Sequence, residues 1–302
     1  MTIAITGGTG FVGQAVLDEA LRQGVQVRAL TRREQPEREG VTWVRGDLHA
    51  ETALEELAAG AKAMLHIAGV VNAPDAEGFR AGNIVGTENV VSAARSAGAA
   101  RFIHVSSLAA REPGLSQYGH SKRLSEEAVQ TSGLDWTIVR PPAIYGPRDT
   151  EIFELFKSAR WGMVPMPPAG RASIIHVTDL ARLLLKLSQP LSETSNRIFE
   201  PDDGQEGGWT HGELAQAIGE AVGRKVWAPH VPRGLLFSAA RLDRLLRGDK
   251  AKLTPDRASY MAHPDWTSAP GQQVPADLWQ PEIPTKQGLA ATAQWYRQQG
   301  WL

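Results

Sequence analysis

Thr2-Ile3-Ala4-Ile5-Thr6-Gly7-Gly8-Thr9-Gly10-Phe11-Val12-Gly13 is the stretch whose reading decides the fold. A short β-branched run halts at a glycine-rich turn. An amphipathic helix follows, with Val12, Val16, Leu17 and Leu21 about one helical turn apart. Glycine permits a tight turn and lets the backbone come close to a ligand, and the positive end of a helix favours an anion there. A dinucleotide pyrophosphate suits that combination, which makes Gly7, Gly10, Phe11, Val12 and Gly13 candidate cofactor-binding residues. The competing reading is an ordinary strand, turn and helix. The position of the glycines, after a strand and before a helix, favours the nucleotide.

Outward from this stretch, apolar strand-like runs alternate with helix-like segments. Residues 25–30, 41–44, 63–67, 101–105 and 136–139 read as strands, and residues 14–22, 52–57, 84–97 and 116–130 as helices. Such alternation predicts a Rossmann-like, doubly wound parallel sheet of the α/β class, covered on both faces. After Pro147 prolines and tryptophans become frequent and strand-like runs sparse, and residues 161–168 read as a loop. Residues 173–180 read as a return to the main sheet, followed by a helix at 181–187 and a strand at 197–199. The expected organisation is a nucleotide-binding domain over residues 1–150 with a return segment at about 173–200. A smaller C-terminal substrate domain, mainly residues 151–302, is expected over the C-terminal edge of the sheet, where ligands of such sheets bind. Residues 234–246 form an amphipathic pattern in which Arg241, Arg244 and Arg247 stand beside Leu235, Leu236, Phe237, Leu242 and Leu245. The period predicts a helix packed on its own domain; a substrate lid or a membrane-surface contact is the alternative.

Composition narrows the classes. A chain of 302 residues can bury a large core, and with no cysteine it has neither disulfides nor a thiol nucleophile. A formal net charge of −1 argues against a nucleic-acid partner held by a basic surface. No apolar run reaches the ~20 residues of a transmembrane helix, and the N-terminus reads as a core strand rather than a signal peptide. The expectation is a soluble, cytoplasmic protein without bound metal, acting on a small molecule.

Tyr118-Gly119-His120-Ser121-Lys122 carries the chemistry. Tyr and Lys at i and i+4 share a helix face. A phenol titrates near pH ~10, and a neighbouring ammonium favours the phenolate, so the pair can act as a general acid and base. Alone it could equally be a surface Tyr beside a solvated Lys. Val105-Ser106-Ser107 ends a strand, so a hydroxyl there lies at the sheet's C-terminal edge, in reach of a substrate oxygen; two serines can also simply cap a turn. Together these residues and the glycine stretch resemble the short-chain dehydrogenase/reductase superfamily, in its extended and atypical branches. The resemblance implies that Ser107, Tyr118 and Lys122 are the catalytic residues, with Ser106 the alternative to Ser107.

Other segments are similar to the same superfamily. Gly46-Asp47-Leu48 resembles its adenine-contacting segment, and His66-Ile67-Ala68-Gly69 the segment beside the adenosine ribose. Asn83-Ile84-Val85-Gly86-Thr87-Glu88-Asn89 resembles the helix of its extended branch, in which Asn83 either holds a bridging water or bonds the backbone. Arg140-Pro141-Pro142-Ala143-Ile144-Tyr145-Gly146-Pro147 resembles the signature leading into the substrate domain, and Asp179 a recurring structural Asp that reads as a helix cap. The implied cofactor contacts are Asp47, Leu48, Ala68, Gly69, Tyr118, Lys122 and Pro141 beside the glycine stretch. The second strand ends in Arg32 and Arg33 with no acid over residues 27–33, which favours NADP over NAD. Glu34 could instead pair with either arginine. The resemblance is nearest the dihydroflavonol reductase and 3β-hydroxysteroid dehydrogenase group, which implies an NADP-dependent oxidoreductase acting on a carbonyl or alcohol. Trp161, Met163 and Met166 read as ordinary packing between domains, with an apolar pocket wall as the alternative. A nucleotide-sugar epimerase or dehydratase and a non-catalytic NADPH-binding accessory protein are the alternatives. Ala143 stands where many sugar-nucleotide enzymes carry Asn, and both Tyr118 and Lys122 are present. The resemblance also implies that the helices at 84–97 and 116–130 can pair two copies into a homodimer.

Overall fold

The computed structural model describes residues 2–248 and 251–302. The chain forms two compact units, one of residues 1–140 and 180–199, the other of residues 141–179 and 200–302.

The first unit is built on a seven-stranded sheet whose paired strands all run parallel. Its strands are β1 (Thr2–Thr6), β2 (Gln26–Thr31), β3 (Val41–Arg45), β4 (Ala63–His66), β5 (Arg101–Val105), β6 (Trp136–Val139) and β10 (Arg197–Phe199). The spatial order is β10-β6-β5-β4-β1-β2-β3. The winding therefore reverses between β1 and β4, and the crevice at such a reversal is where open α/β sheets bind ligands. The helices are α1 (Phe11–Arg22), α2 (Glu51–Ala58), a single turn α3 (Ala76–Phe79), α4 (Gly86–Ser96), α5 (Gln117–Gln130) and the greater part of α7 (Val177–Leu187). A wide turn, Arg80–Val85, joins α3 to α4. Ala4, Met64, Phe102 and Ile138 bury one face of the sheet with residues of α2, α4 and α5. Ile3, Ile5, Leu65 and Ile103 are equally buried and point to the other face, as the two-residue strand period requires.

One expectation from the sequence needs correction. Residues 174–176 do not return to the main sheet. They form β9 (Ile174–His176), which pairs with β7 (Ala143–Tyr145) in a separate two-stranded sheet of the second unit. The open edge of β6 is taken by β10 alone, and Arg140 N–H donates to Phe199 C=O beyond the ladder. Pro141 and Pro142 lack the N–H that would continue β6, so the main sheet stops there. Residues 161–168 are a loop, as expected, with isolated bridges from Met163 to Trp227 and from Met166 to His230. Finally, β5 opens on a charge: Arg101 is fully buried, donating to Asp135, Thr137, Thr194 and the Leu187 carbonyl.

In the second unit, α6 (Phe153–Ala159), α8 (His211–Val222) and α11 (Thr285–Gln298) enclose a core that includes Phe156, Ile174, Leu214, Ile218, Leu289 and Tyr296. The ring of Tyr296 stacks on Trp301 at 5.7 Å and meets Phe153 at 4.8 Å, which gives the aromatic C-terminus a packing role. A small sheet joins β8 (Arg171–Ala172), β11 (Trp209–Thr210) and β12 (Asp265–Trp266). A capping box of Thr210 and Glu213 starts α8, and Gly223 at φ 79° ends it. Helices α9 (Arg233–Arg247) and α10 (Pro255–Met261) pair through Leu236, Ala240 and Ala258.

Asp135 is the carboxylate partner of Arg101, and its removal strands a buried guanidinium. Replacing Arg101 by Met removes the charge itself, while Thr137 and Thr194 keep the carbonyls of Thr194 and Leu191 as acceptors. Urea denaturation should therefore show Asp135→Ala losing about 3 kcal/mol and Arg101→Met distinctly less.

Candidate active site

The glycine stretch leaves β1 and turns at Gly7 (φ 77°). A Cβ on Gly7 would lie 2.7 Å from Ala68 N, so the loops after β1 and β4 touch at the winding reversal. A Cβ on Gly13 would stand 2.0 Å from Gly7 C=O, so α1 closes directly on the turn. Gly10 differs. It caps α1 with extended backbone, and a Cβ there would meet only Gly7 C=O at 3.4 Å. The protein thus demands glycine at 7 and 13 but not at 10, where the space is left for something else to approach. No side chain caps α1 and no acid occupies its first turn, which Phe11 and Val12 fill half-buried. An anionic dinucleotide fits this cradle.

The remaining candidates sit at the same ends of the parallel strands. Arg32 and Arg33 follow β2, exposed, and among the described residues neither pairs with Glu34 or another acid. Asp47 follows β3, where its carboxylate accepts His49 N–H at 2.8 Å; Leu48 C=O accepts from Asn89 at 2.8 Å. Ala68 and Gly69 follow β4, and Ala68 N–H donates to Thr6 Oγ1 at 3.3 Å. Pro141 is buried and opens the second unit.

Lys122 links the pieces. Its Nζ donates to Val105 C=O, the last carbonyl of β5, at 2.8 Å. It also lies 3.6 Å from where a Cβ of Gly69 would stand, so a buried ammonium bridges the ends of β4 and β5. Burial pulls its pKa down to about 8, and the carboxylate of Glu126 opposes that fall. Glu126, one helical turn on, is fully buried and grips Arg140 with two bonds of 2.8 and 2.6 Å. Ser106 donates to the same carboxylate at 2.5 Å. The proton of Ser106 is thereby committed. The half-buried Ser107 accepts Ala109 N–H at 3.2 Å as the cap of the next turn, which leaves its own proton to donate.

Tyr118 stands in the first turn of α5, half-buried, its ring 6.2 Å from that of Phe79. Ser116 caps that helix by accepting Gly119 N–H at 2.9 Å. Gly119 is the residue that brings Tyr118 and Ser107 into one neighbourhood: a Cβ on it would lie 2.6 Å from Ala109 C=O, so only glycine lets α5 pack against the turn Leu108–Arg111. The sequence reading passed over Gly119, Glu126 and the pairing of Arg140. A glycine between Tyr and Lys, and an acid four residues after the Lys, were the signals present.

Asn83 bonds backbone. It accepts Val70 N–H at 2.6 Å and donates to Val70 C=O at 2.9 Å and Ser121 Oγ at 2.8 Å. Ser121 donates in turn to Tyr118 C=O, so Asn83 ties the loop after β4 to the helix of Tyr118. His66 lies fully buried between Thr6 and Thr87, stacked on His104 at 5.2 Å. Burial first, and Lys122 second, hold it neutral with a pKa of about 3. Asp179, in the first turn of α7, spends its carboxylate on the N–H groups of Glu282 and Ile283.

A family model described as NAD(P)H-binding matches residues 7–186. The chain belongs to the NAD(P)H-binding family. The ceramide reductase of Caulobacter vibrioides is 37% identical over an alignment that takes in 99% of this chain and 96% of that one. The 2-alkyl-3-oxoalkanoate reductase of Stenotrophomonas maltophilia is 28% identical, covering 89% and 91%. The fold is shared with MoeE5 in complex with UDP-glucose and NAD, at a TM-score of 0.77 and 20% identity over 99% of both chains. The protein is thus an NAD(P)-dependent enzyme whose relatives are named reductases.

Two predictions follow from the packing. Gly10→Ala should leave the melting temperature nearly unchanged and weaken NADP(H) binding about tenfold or more, whereas Gly13→Ala should not fold; calorimetric titration and thermal melting read the two. Lys122 is cationic at neutral pH only against the pull of burial. Between about pH 8 and its unfolded value of 10.5, the folded chain has released a proton that the unfolded chain retains, so stability rises with pH across that window. Lys122→Met should accordingly raise the melting temperature of the cofactor-free protein at pH 7, by an amount that shrinks as the pH climbs past 8 toward 10.5.

Proposed function

We propose that this chain is an NADPH-dependent reductase of a ketone carried on a long-chain, lipid-like substrate, with Tyr118 as proton donor. The carrying observation is the end-to-end likeness to a reductase named for ceramide, a lipid with two hydrocarbon tails. The second relative is named for a 3-oxo acid bearing an alkyl branch, again a carbonyl beside apolar chain. Retention of both Tyr118 and Lys122 supports turnover rather than simple cofactor binding.

The glycine stretch Gly7–Gly13 would hold NADPH, which when bound would supply the hydride for a ketone carbon. Tyr118 Oη gives its proton to the carbonyl oxygen as that oxygen gains charge, so the ketone leaves as a secondary alcohol. Ser107 donates a hydrogen bond to the same oxygen, the duty of a donor fixed in advance of the charge it meets. The ammonium of Lys122 favours the phenolate form of Tyr118 and so eases proton release. Asn83 and Gly119 hold the helix of Tyr118 against the loops that these groups serve. Arg32 and Arg33, exposed and without an acid partner among the described residues, support a 2′-phosphate contact of the bidentate kind.

Tyr118→Phe should lower kcat on a long-chain 3-ketone by roughly 10²–10⁴-fold while NADPH binding stays unchanged. Undiminished turnover by that variant removes Tyr118 from the reaction. Arg32→Asp should weaken NADPH binding about tenfold or more and spare NADH. Tight NADPH binding with no oxidation across ketones of all chain lengths would assign the protein a binding role instead.

A further inference from the structure

The second unit carries an apolar surface that its own core leaves uncovered. Helix α9 is 15 residues long, yet only Leu236 and Ala240 are buried. Leu235, Leu242, Leu245 and Leu246 are 63%, 55%, 82% and 74% exposed. Positions 235, 239, 242 and 246 recur at steps of four, three and four, so Leu235, Ala239, Leu242 and Leu246 form one stripe along the helix, with Leu245 beside it. This revises the expectation of a helix packed on its own domain: a narrow stripe packs, and a broader one faces outward.

Two further features select what covers it. The first is charge. Arg233, Arg241, Arg244 and Arg247 lie on this helix against a single acid, Asp243, on a chain whose net charge is −1. That acid is itself consumed, accepting the N–H groups of Lys252 and Leu253 and pairing with Arg247. The second is aromatic. Trp161 and Trp227 are 86% and 68% exposed, and the Met163–Trp227 bridge brings Met163, itself 42% exposed, beside them. Trp227 N–H donates to Gly162 C=O, which fixes the two indole-bearing segments side by side, and α9 begins six residues after Trp227. Indoles favour the boundary between hydrocarbon and water, leucines the hydrocarbon, and arginines the anionic headgroups.

We propose that α9 and the bridged segments bearing Trp161 and Trp227 form a docking surface that lays this chain on an anionic phospholipid membrane. No helix of the described residues is long and apolar enough to cross a bilayer, so the contact is one of lying on the surface. It uses none of the groups of the proposed ketone reduction and stands or falls apart from that reading. A substrate with hydrocarbon tails would be met where it resides.

The full chain is floated with vesicles of phosphatidylcholine alone and of phosphatidylcholine mixed equally with phosphatidylglycerol. Flotation with the anionic vesicles, about tenfold less with the neutral ones and weakened by high salt, is the expected result. Leu242→Glu with Leu246→Glu should abolish it, and Arg241→Gln with Arg244→Gln should lower it several-fold. Each variant is checked for the wild-type thermal shift on adding NADPH, which shows that its fold is intact. Failure of the wild-type chain to float at low salt overturns the proposal. So does a concentration-dependent dimer in sedimentation that the two leucine substitutions split, because the stripe would then belong to a second copy. Neither outcome bears on the ketone reading, which is scored by turnover.

Discussion

The ammonium of Lys122 is the constraint on which the site depends. It is buried, it bonds the last carbonyl of β5, and it lies against Gly69 at the end of β4. An isolated charge in such a place would lose its proton or drive the structure apart. What makes it tolerable is the carboxylate of Glu126 one turn along α5, shared with Arg140 and Ser106. The buried pair is a poor stabiliser in itself, since desolvation cancels most of its attraction. Its value is positional: it sets the electrostatic environment of the ammonium and fixes α5 against the end of β6.

Around that charge, close backbone approaches supply the rest of the geometry. Gly7 brings the loop after β1 onto the loop after β4, and Gly119 brings α5 onto the turn that Ser107 begins. Asn83 stitches the loop after β4 to the carbonyl of Tyr118 through Ser121. Gly119 and Asn83 thereby join the turn after β5 and the loop after β4 to the helix that bears Tyr118 and Lys122.

The second unit has a different economy. Its core is aromatic and sealed by the C-terminal Tyr296 and Trp301, and Met166 is buried within it. Trp161, Trp227 and Leu235, Leu242, Leu245 and Leu246 of α9 are left outside. A chain that keeps indoles and leucines in water does so at a cost in solubility. The charge that accompanies them on α9 is what distinguishes this surface from an ordinary packing fault.

Local pattern was enough for the parallel sheet, because each strand and helix there carries its own period and its own glycine or serine punctuation. The glycine stretch, Arg32, Arg33 and the Tyr118–Lys122 pair could be proposed as site residues from the sequence for the same reason: they are patterns of spacing along the chain. The sheet assignment of residues 174–176 was not legible, since three apolar residues pair equally well with any open edge, and only the prolines after Arg140 and the occupation of β6 by β10 decide which. Ser106 and Ser107 likewise could not be told apart locally, because only the fold brings Glu126, 20 positions on, to accept the Ser106 proton. Helical period announced α9 but could not say which of its apolar residues would be covered, because that depends on what packs against the helix and not on the helix itself.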